Sequence, residues 1–275
     1  SKADGRTLLV WIEQGLGDAI HFCRYVPLLK QLGFRVLLHT PGILLRLMRS
    51  LPAIDEFVAE ETTLPLHDVQ CPVMSLPHWL GTTVDNVPSV VPYLKADPSL
   101  TEKWSKRLPR GAALRVGLYW QGNPHHPGDR HRSLPLWALA PMGEVPGIQL
   151  ISLQQGPGRD QTKRGPHVPK QIDLGPDYQT MDDLAAVIEH MDLVVSVDTA
   201  SAHLAGALGK PIWLLLPTAP DWRWLLDRPD TPWYPTARLF RQRRPGEWDE
   251  VIARVVQQLE RWRNETVLRP IAQRS

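Results

Sequence analysis

Short apolar runs that stop at a glycine or polar turn, each followed by apolar residues at helical spacing, recur along this chain. Thr7 to Glu13 (TLLVWIE) runs into Gln14-Gly15-Leu16-Gly17. A buried strand closed by a glycine turn accounts for that pattern. Beyond it, Ile20, Tyr25, Leu28, Leu29 and Leu32 keep helical spacing from Asp18 to Leu32, and Gly33 is the stop. Arg35 to His39 reads as a second strand, Ile43 to Leu51 as a helix opened at Pro41, and Asp55 to Val58 and Val69 to Val73 as further strands. Asp97-Pro98 offers an N-cap followed by proline at the first helical position, which predicts a helix over Ser99 to Lys106. Such alternation dictates parallel strands joined by crossover helices.

The pattern restarts after Pro109 to Gly111. Leu114 to Trp120, Ile148 to Leu153, Leu193 to Val197 and Pro211 to Leu216 read as strands. Leu136 to Met142, Met181 to His190, Thr199 to Leu208 and Glu247 to Trp262 read as helices. Two α/β units of similar size predict two Rossmann-like domains, residues 1–109 and 110–275, facing one central cleft. Ligands then lie beyond the carboxyl ends of the strands.

Composition removes several function classes. With a net charge of +2 and interleaved acidic and basic residues, the chain lacks the one-sided basic excess of a nucleic-acid protein. Its two cysteines, Cys23 and Cys71, form neither a disulfide scaffold nor a CxxC pair. No apolar run reaches the length of a membrane span, and Ser1 to Arg6 has no signal-peptide core. The reading is a cytoplasmic protein, with a peripheral position at the inner membrane left open.

Four segments carry candidate chemistry. In the first, Gly15 and Gly17 allow close approach to the backbone, and Asp18 stands at the first turn of the helix; there it is either a reactive carboxylate or a partner of the helix dipole. A dinucleotide fingerprint fails here, since Ile20 occupies the third small position and the second strand ends in Leu38-His39. In the second segment, Ser196 to His203, a buried strand runs into a helix whose free N–H groups suit a phosphate. Asp198, Thr199, Ser201 and His203 are its candidate ligands, against the alternative of an Asp198 N-cap and a satisfied core histidine. The third is the loop Gln121 to Ser133, whose arginines, Arg130 and Arg132, can neutralise a diphosphate. His125, His126 and His131 lack the carboxylates or cysteines that would complete a metal set. The fourth, Pro217 to Trp224, holds Thr218 and tryptophans that either stack on a base or sugar ring or pack the loop.

GLGDAIHFCRY, the segment ending in RSLPLW, and SVDTASAHLAGALGKPIWLLLP together resemble glycosyltransferase family 9, the ADP-heptose:lipopolysaccharide heptosyltransferase family. APDWRWLLDRPDTPWYPTARLFRQ is similar to the subgroup found at the C-terminus of bacterial tetratricopeptide-repeat proteins. The resemblance implies a GT-B fold, inversion at the sugar carbon, and a closing helix that returns toward the first domain. It implies Asp18 as catalytic base, Arg132 near the donor phosphate, and Asp198, Thr199 and His203 in the donor site. The implied partners are a nucleotide-diphosphate sugar and an acceptor glycan, lipid or protein. No DxD motif is found, so no metal cofactor is expected. Two other readings stay open on sequence: a sugar-nucleotide epimerase or hydrolase, and a non-catalytic binding module.

Overall fold

The computed structural model describes residues 3–109, 111, 113–163 and 168–268. Arg110, at the expected domain junction, lies outside the described residues. In the first half, β1 (Thr7–Trp11) leads into α1 (Leu16–Phe22) and α2 (Val26–Gln31), followed by β2 (Arg35–Thr40), α3 (Gly42–Met48), β3 (Glu56–Ala59), β4 (Val69–Pro72), α4 (Leu76–Trp79) and α5 (Pro98–Ser105). The continuous helix expected over Asp18 to Leu32 is broken. A 3-10 turn, Cys23–Tyr25, separates α1 from α2, and Pro27 sits at the start of α2, where it has no N–H to continue the ladder. The N-cap of α5 is as the sequence predicts: the Asp97 side chain accepts from the Ser99 and Leu100 N–H groups.

The second half comprises β5 (Leu114–Tyr119), α6 (Asp129–Arg132), β6 (Ile148–Ser152), β7 (Gln171–Asp173), α7 (Met181–Glu189), β8 (Leu193–Val197), α8 (Ala200–Ala207), β9 (Ile212–Leu216), β10 (Ala237–Arg241) and α9 (Trp248–Leu268). The two halves carry separate sheets, of order β3-β2-β1-β4 and β10-β9-β8-β5-β6-β7. Every strand pair in both is parallel. The second sheet has the doubly wound order of a full Rossmann domain, and the chain reverses direction between β5 and β8. Every residue of β8 and β9 is buried, as expected for central strands covered on both faces.

The halves meet over a shared core rather than across open space. One cluster runs from Leu8, Val10 and Leu38 of the first sheet, through Ala19, Ile20 and Phe22 of α1, to Ala202, Ala205 and Leu214 of the second half. α5 packs on α7, where the buried Trp104 indole donates to Asp183 at 3.1 Å. A second cluster joins Val116, Leu118 and Val195 to Leu139, Met142, Val251, Val255 and Leu259. The buried face of α9 therefore lies on the second sheet, which corrects the expected return toward the first domain. Its apolar stripe is matched by the apolar face of the Leu136–Glu144 segment.

Gly206 of α8 shows how tightly the second half is packed against its own loop after β9. A Cβ there would lie 2.4–2.7 Å from three atoms of the Tyr234 ring. Gly206→Ala is expected to lower stability by about 1–3 kcal/mol, the cost of overpacking a filled core. Chemical denaturation measures it; unchanged stability would show that Tyr234 moves freely.

Candidate active site

The carboxyl ends of β1 and β8 bring the starts of α1 and α8 face to face. β1 ends in a turn whose left-handed residue is Gln14 (φ 69°), while Gly15 is extended at φ −82° and serves as the N-cap of α1. The turn thus places its positive φ on a non-glycine residue, an uncommon conformation. Glu13 ties this turn to the end of β4 by accepting from the Val73 and Met74 N–H groups, both at 3.1 Å. Gly17 is needed for the approach of the helices: a Cβ there would stand 3.1 Å from His203 Cδ2 and 3.5 Å from Ala200 Cα.

Asp18 closes the first turn of α1 and also reaches across to the second half. Its Oδ2 accepts from the Gly15 N–H at 3.2 Å, closing the first turn of α1. Its Oδ1 pairs with Arg223 Nη2, from the loop after β9. Asp18 keeps 25% side-chain exposure, while Arg223 keeps 8%. A second carboxylate, Asp221, accepts from Arg223 Nη1 at 2.8 Å and from its N–H at 3.1 Å. The Arg223 guanidinium also lies 5.3 Å from the Phe22 ring centroid and 5.1 Å from that of Trp222. Arg223 falls inside the segment DWRW but is invisible as a site residue in the sequence, because its partner lies 205 positions away.

The start of α8 is left without a side-chain cap. Its N-cap is Thr199, not Asp198, and Thr199 makes no capping bond. The Thr199 hydroxyl turns back to the Val197 carbonyl (3.4 Å) and the Ser196 hydroxyl (3.3 Å). Asp198, Thr199 and Ala200 are half-buried, and Ser201 is buried. Burial pushes the Asp198 carboxyl up from the usual range, and the Arg132 and Arg223 charges pull the other way. Arg132, at the end of α6, pairs with the buried Asp129 at 3.2 Å and keeps 18% side-chain exposure. The Gln121 side chain accepts from Gln161 Nε2 at 3.1 Å, and its peptide is held by Gln154. Gln121 thereby braces the loop that carries Arg132. Thr218 follows β9 and is half-buried.

His203 is 5% exposed. Its Nδ1 lies 2.9 Å from the Tyr234 hydroxyl, which also meets His21 Nδ1 at 3.0 Å. Its Nε2 is 3.7 Å from Asp198 Oδ1. Tyr234 reaches Tyr93, whose hydroxyl donates to the Ile20 carbonyl at 2.9 Å and accepts from Arg24 Nη2 at 2.9 Å. Burial holds His21 well below its ordinary range, with Arg24 adding to it; burial and then Arg223 do the same for His203. Both histidines are therefore neutral in the folded protein at pH 7.

A histidine whose folded pKa is depressed takes up its proton preferentially in the unfolded chain. The stabilisation is complete above the unfolded value of about 6.5 and is lost as pH falls below it. Each such histidine is expected to cost about 1.4 kcal/mol per pH unit below that point. Denaturant titrations between pH 7.5 and 5.5 check this, and His21→Leu should reduce the slope by one proton's worth. An unaltered slope in that variant would mean that His21 is charged in the fold.

Among the described residues, no three His, Cys, Asp or Glu side chains gather as metal ligands. Trp224 (0% exposed) and Trp233 (5% exposed) pack the loop after β9, so packing is what the structure finds for both.

Residues 172–222, from β7 to the Trp222 turn, match the family model of glycosyltransferase family 9 (heptosyltransferase). Protein FlbA of Caulobacter vibrioides is 27% identical over 278 residues, covering 91% of this chain and 46% of the relative. The chain thus spans about half the length of that curated relative. A glycosyl transferase family 9 structure from Veillonella parvula superposes with a TM-score of 0.66 at 13% identity, covering 88% of this chain and 87% of that one. ADP-heptose lps heptosyltransferase II of E. coli gives a TM-score of 0.65 at 13% identity, covering 94% and 99%. The fold is α/β, of the GT-B type. The matched stretch contains β8, α8 and β9 and stops at Trp222, where the turn Trp222–Trp224 begins, so it covers one wall of the candidate site.

Proposed function

We propose that the chain transfers a sugar from a nucleotide-diphosphate donor to an acceptor hydroxyl, with inversion and without a metal. The observation that carries this reading is the packing of the start of α1, which carries Asp18, against the uncapped start of α8, where the Arg132 charge acts on Asp198. Asp18 takes the proton of the acceptor hydroxyl as its oxygen attacks the anomeric carbon. The bond from that carbon to the diphosphate breaks on the opposite face, and its electron pair leaves with the diphosphate. Arg132 and the free N–H groups of α8 meet the charge that develops there. Thr199 and Asp198 line the same helix start, His203 backs it from inside, and Ser201, Gln121 and Thr218 complete the donor side. Asp198, Thr199 and Ala200, each half-buried, keep that helix start in partial contact with solvent. The division at residues 109 and 110, with Gly15 and Gly17 on the acceptor side, belongs to this proposal.

The acceptor is a hydroxyl on a glycan, lipid or protein. Association with tetratricopeptide repeats outside this chain also belongs to the proposal, supported by the segment 219–242 and by a curated relative about twice as long. No helix among the described residues is long and apolar enough to cross a membrane, and both cysteines are free and buried. A cytoplasmic setting goes with this reading.

A panel of nucleotide-diphosphate sugars tests it by thermal shift. A donor that binds only the native state raises the melting temperature, by a free energy of about 2.7 kcal/mol at one hundred times its Kd. No shift with any donor would leave a non-catalytic module. Rapid nucleotide release without an acceptor would leave a hydrolase.

A further inference from the structure

We propose that Trp222 is the platform of an acceptor-saccharide subsite beside Asp18. The loop after β9 carries three tryptophans close to the site. Trp224 and Trp233 are buried, but Trp222 keeps 57% of its surface exposed. It therefore contributes little to packing the loop, yet its ring is fixed from behind. Phe22 of α1, itself 1% exposed, lies nearly parallel to it, with centroids 6.4 Å apart and planes 25° apart. Trp233 meets it edge-on at 5.9 Å. The Arg223 guanidinium sits 5.1 Å from its centroid.

The turn itself is rigid. Asp221 holds both the N–H and the guanidinium of Arg223. The 3-10 turn ends at Leu225, which has φ 51° and ψ −166°, a conformation costly for a bulky residue. Backbone held in such a state tends to mark a functional segment. A large ring ordered before binding loses little conformational entropy when a ligand arrives.

The chemistry around the ring selects the ligand class. The C–H face of a pyranose is weakly positive and complements the negative face of an indole. Its hydroxyls need acceptors at the rim of the ring. Asp221 keeps 34% side-chain exposure on the preceding residue, and Asp18 is bound to the following one, Arg223. An aromatic face flanked by two carboxylates that share Arg223 suits a saccharide, whose hydroxyls can donate to their remaining lone pairs, better than an acyl chain, which would strip their water without replacing it. A hydroxyl of a ring stacked on Trp222 then lies toward the carboxylate that takes its proton. The inference rests on the reading of Asp18 as the base and adds the class of acceptor and the residue that orients it.

Saturation-transfer NMR tests it with the methyl pyranosides of glucose, galactose, mannose and N-acetylglucosamine at millimolar concentration, and with cyclohexanol for comparison. At least one pyranoside is expected to take up magnetisation mainly on one ring face. Trp222→Ala should weaken that binding at least about tenfold, and Trp222→Phe should keep most of it. Both variants should melt with the parent, since the side chain is largely exposed. No transfer to any pyranoside, equal transfer in Trp222→Ala, or stronger transfer to cyclohexanol overturns the subsite. Asp18→Asn keeps an accepting oxygen beside the ring and should weaken the saccharide signal less than Trp222→Ala does. If that variant also transfers sugar at the parent rate, the base assignment falls while the saccharide platform stands on its own signal.

Discussion

Asp18→Asn is expected to lower turnover by about 10²–10⁴-fold, the usual worth of a general base, while leaving donor affinity nearly intact. Asparagine keeps the size of the side chain and its bond to the Gly15 N–H, but it cannot take a proton. The structure adds a second effect. Arg223, with only 8% side-chain exposure, loses one of its two carboxylates. Asp221 remains, so the loss of stability should fall between that of a surface pair and that of a buried one, about 1–3 kcal/mol. A carboxylate that served only the helix dipole would cost about 0.3–1 kcal/mol and leave turnover untouched. Turnover measured well below the melting temperature, with the melting temperature itself, separates the cases. Parent turnover in this variant removes Asp18 as the base.

Arg132→Ala is expected to weaken binding of a nucleoside diphosphate by about 1.5–3 kcal/mol, the scale of hydrogen bonds to charged groups, or about 10- to 150-fold. The corresponding nucleoside should bind equally to both proteins. Asp129, 5% exposed, loses its cation in this variant, so some stability is lost as well and titration calorimetry belongs at low temperature. Arg130→Ala is the control: Arg130 is exposed, and its Nε donates to His131 at 2.9 Å. Equal loss in the two variants would mean a general charge effect of the loop. No loss in Arg132→Ala would remove Arg132 from the phosphate site.

Much of the second sheet was legible because its strands are local events. Leu193 to Val197 is uniformly apolar apart from Ser196, lies between polar turns, and forms β8 at those bounds. Asp97-Pro98 similarly announces α5, because an N-cap needs only its own turn. β7 and β10 escaped notice. Gln171–Asp173 has three residues, and Ala237–Arg241 is an edge strand inside a proline-rich stretch; both take their conformation from the strand beside them. The break at Cys23–Tyr25 was missed since apolar spacing continues through it. The seat of α9 depended on which face of which sheet stood uncovered.

In the candidate site, the sequence alone determined which residues stand just beyond the carboxyl ends of strands: Asp18 in the first turn of the helix after β1, and Asp198 and Thr199 directly after β8. Backbone hydrogen bonding sets that placement over a few neighbouring residues, so it can be read along the chain. The tertiary structure decided which of these groups meet. Asp18 and Arg223 stand 205 residues apart, and Tyr234 bridges His21 and His203 across 213 and 31 residues. Such pairs form only when two sheets, each specified by its own periodicity, pack α1 against α8 with Gly17 at the contact. The strength of a charge pair depends on the distance and solvent around it, and neither exists until the halves have closed on each other.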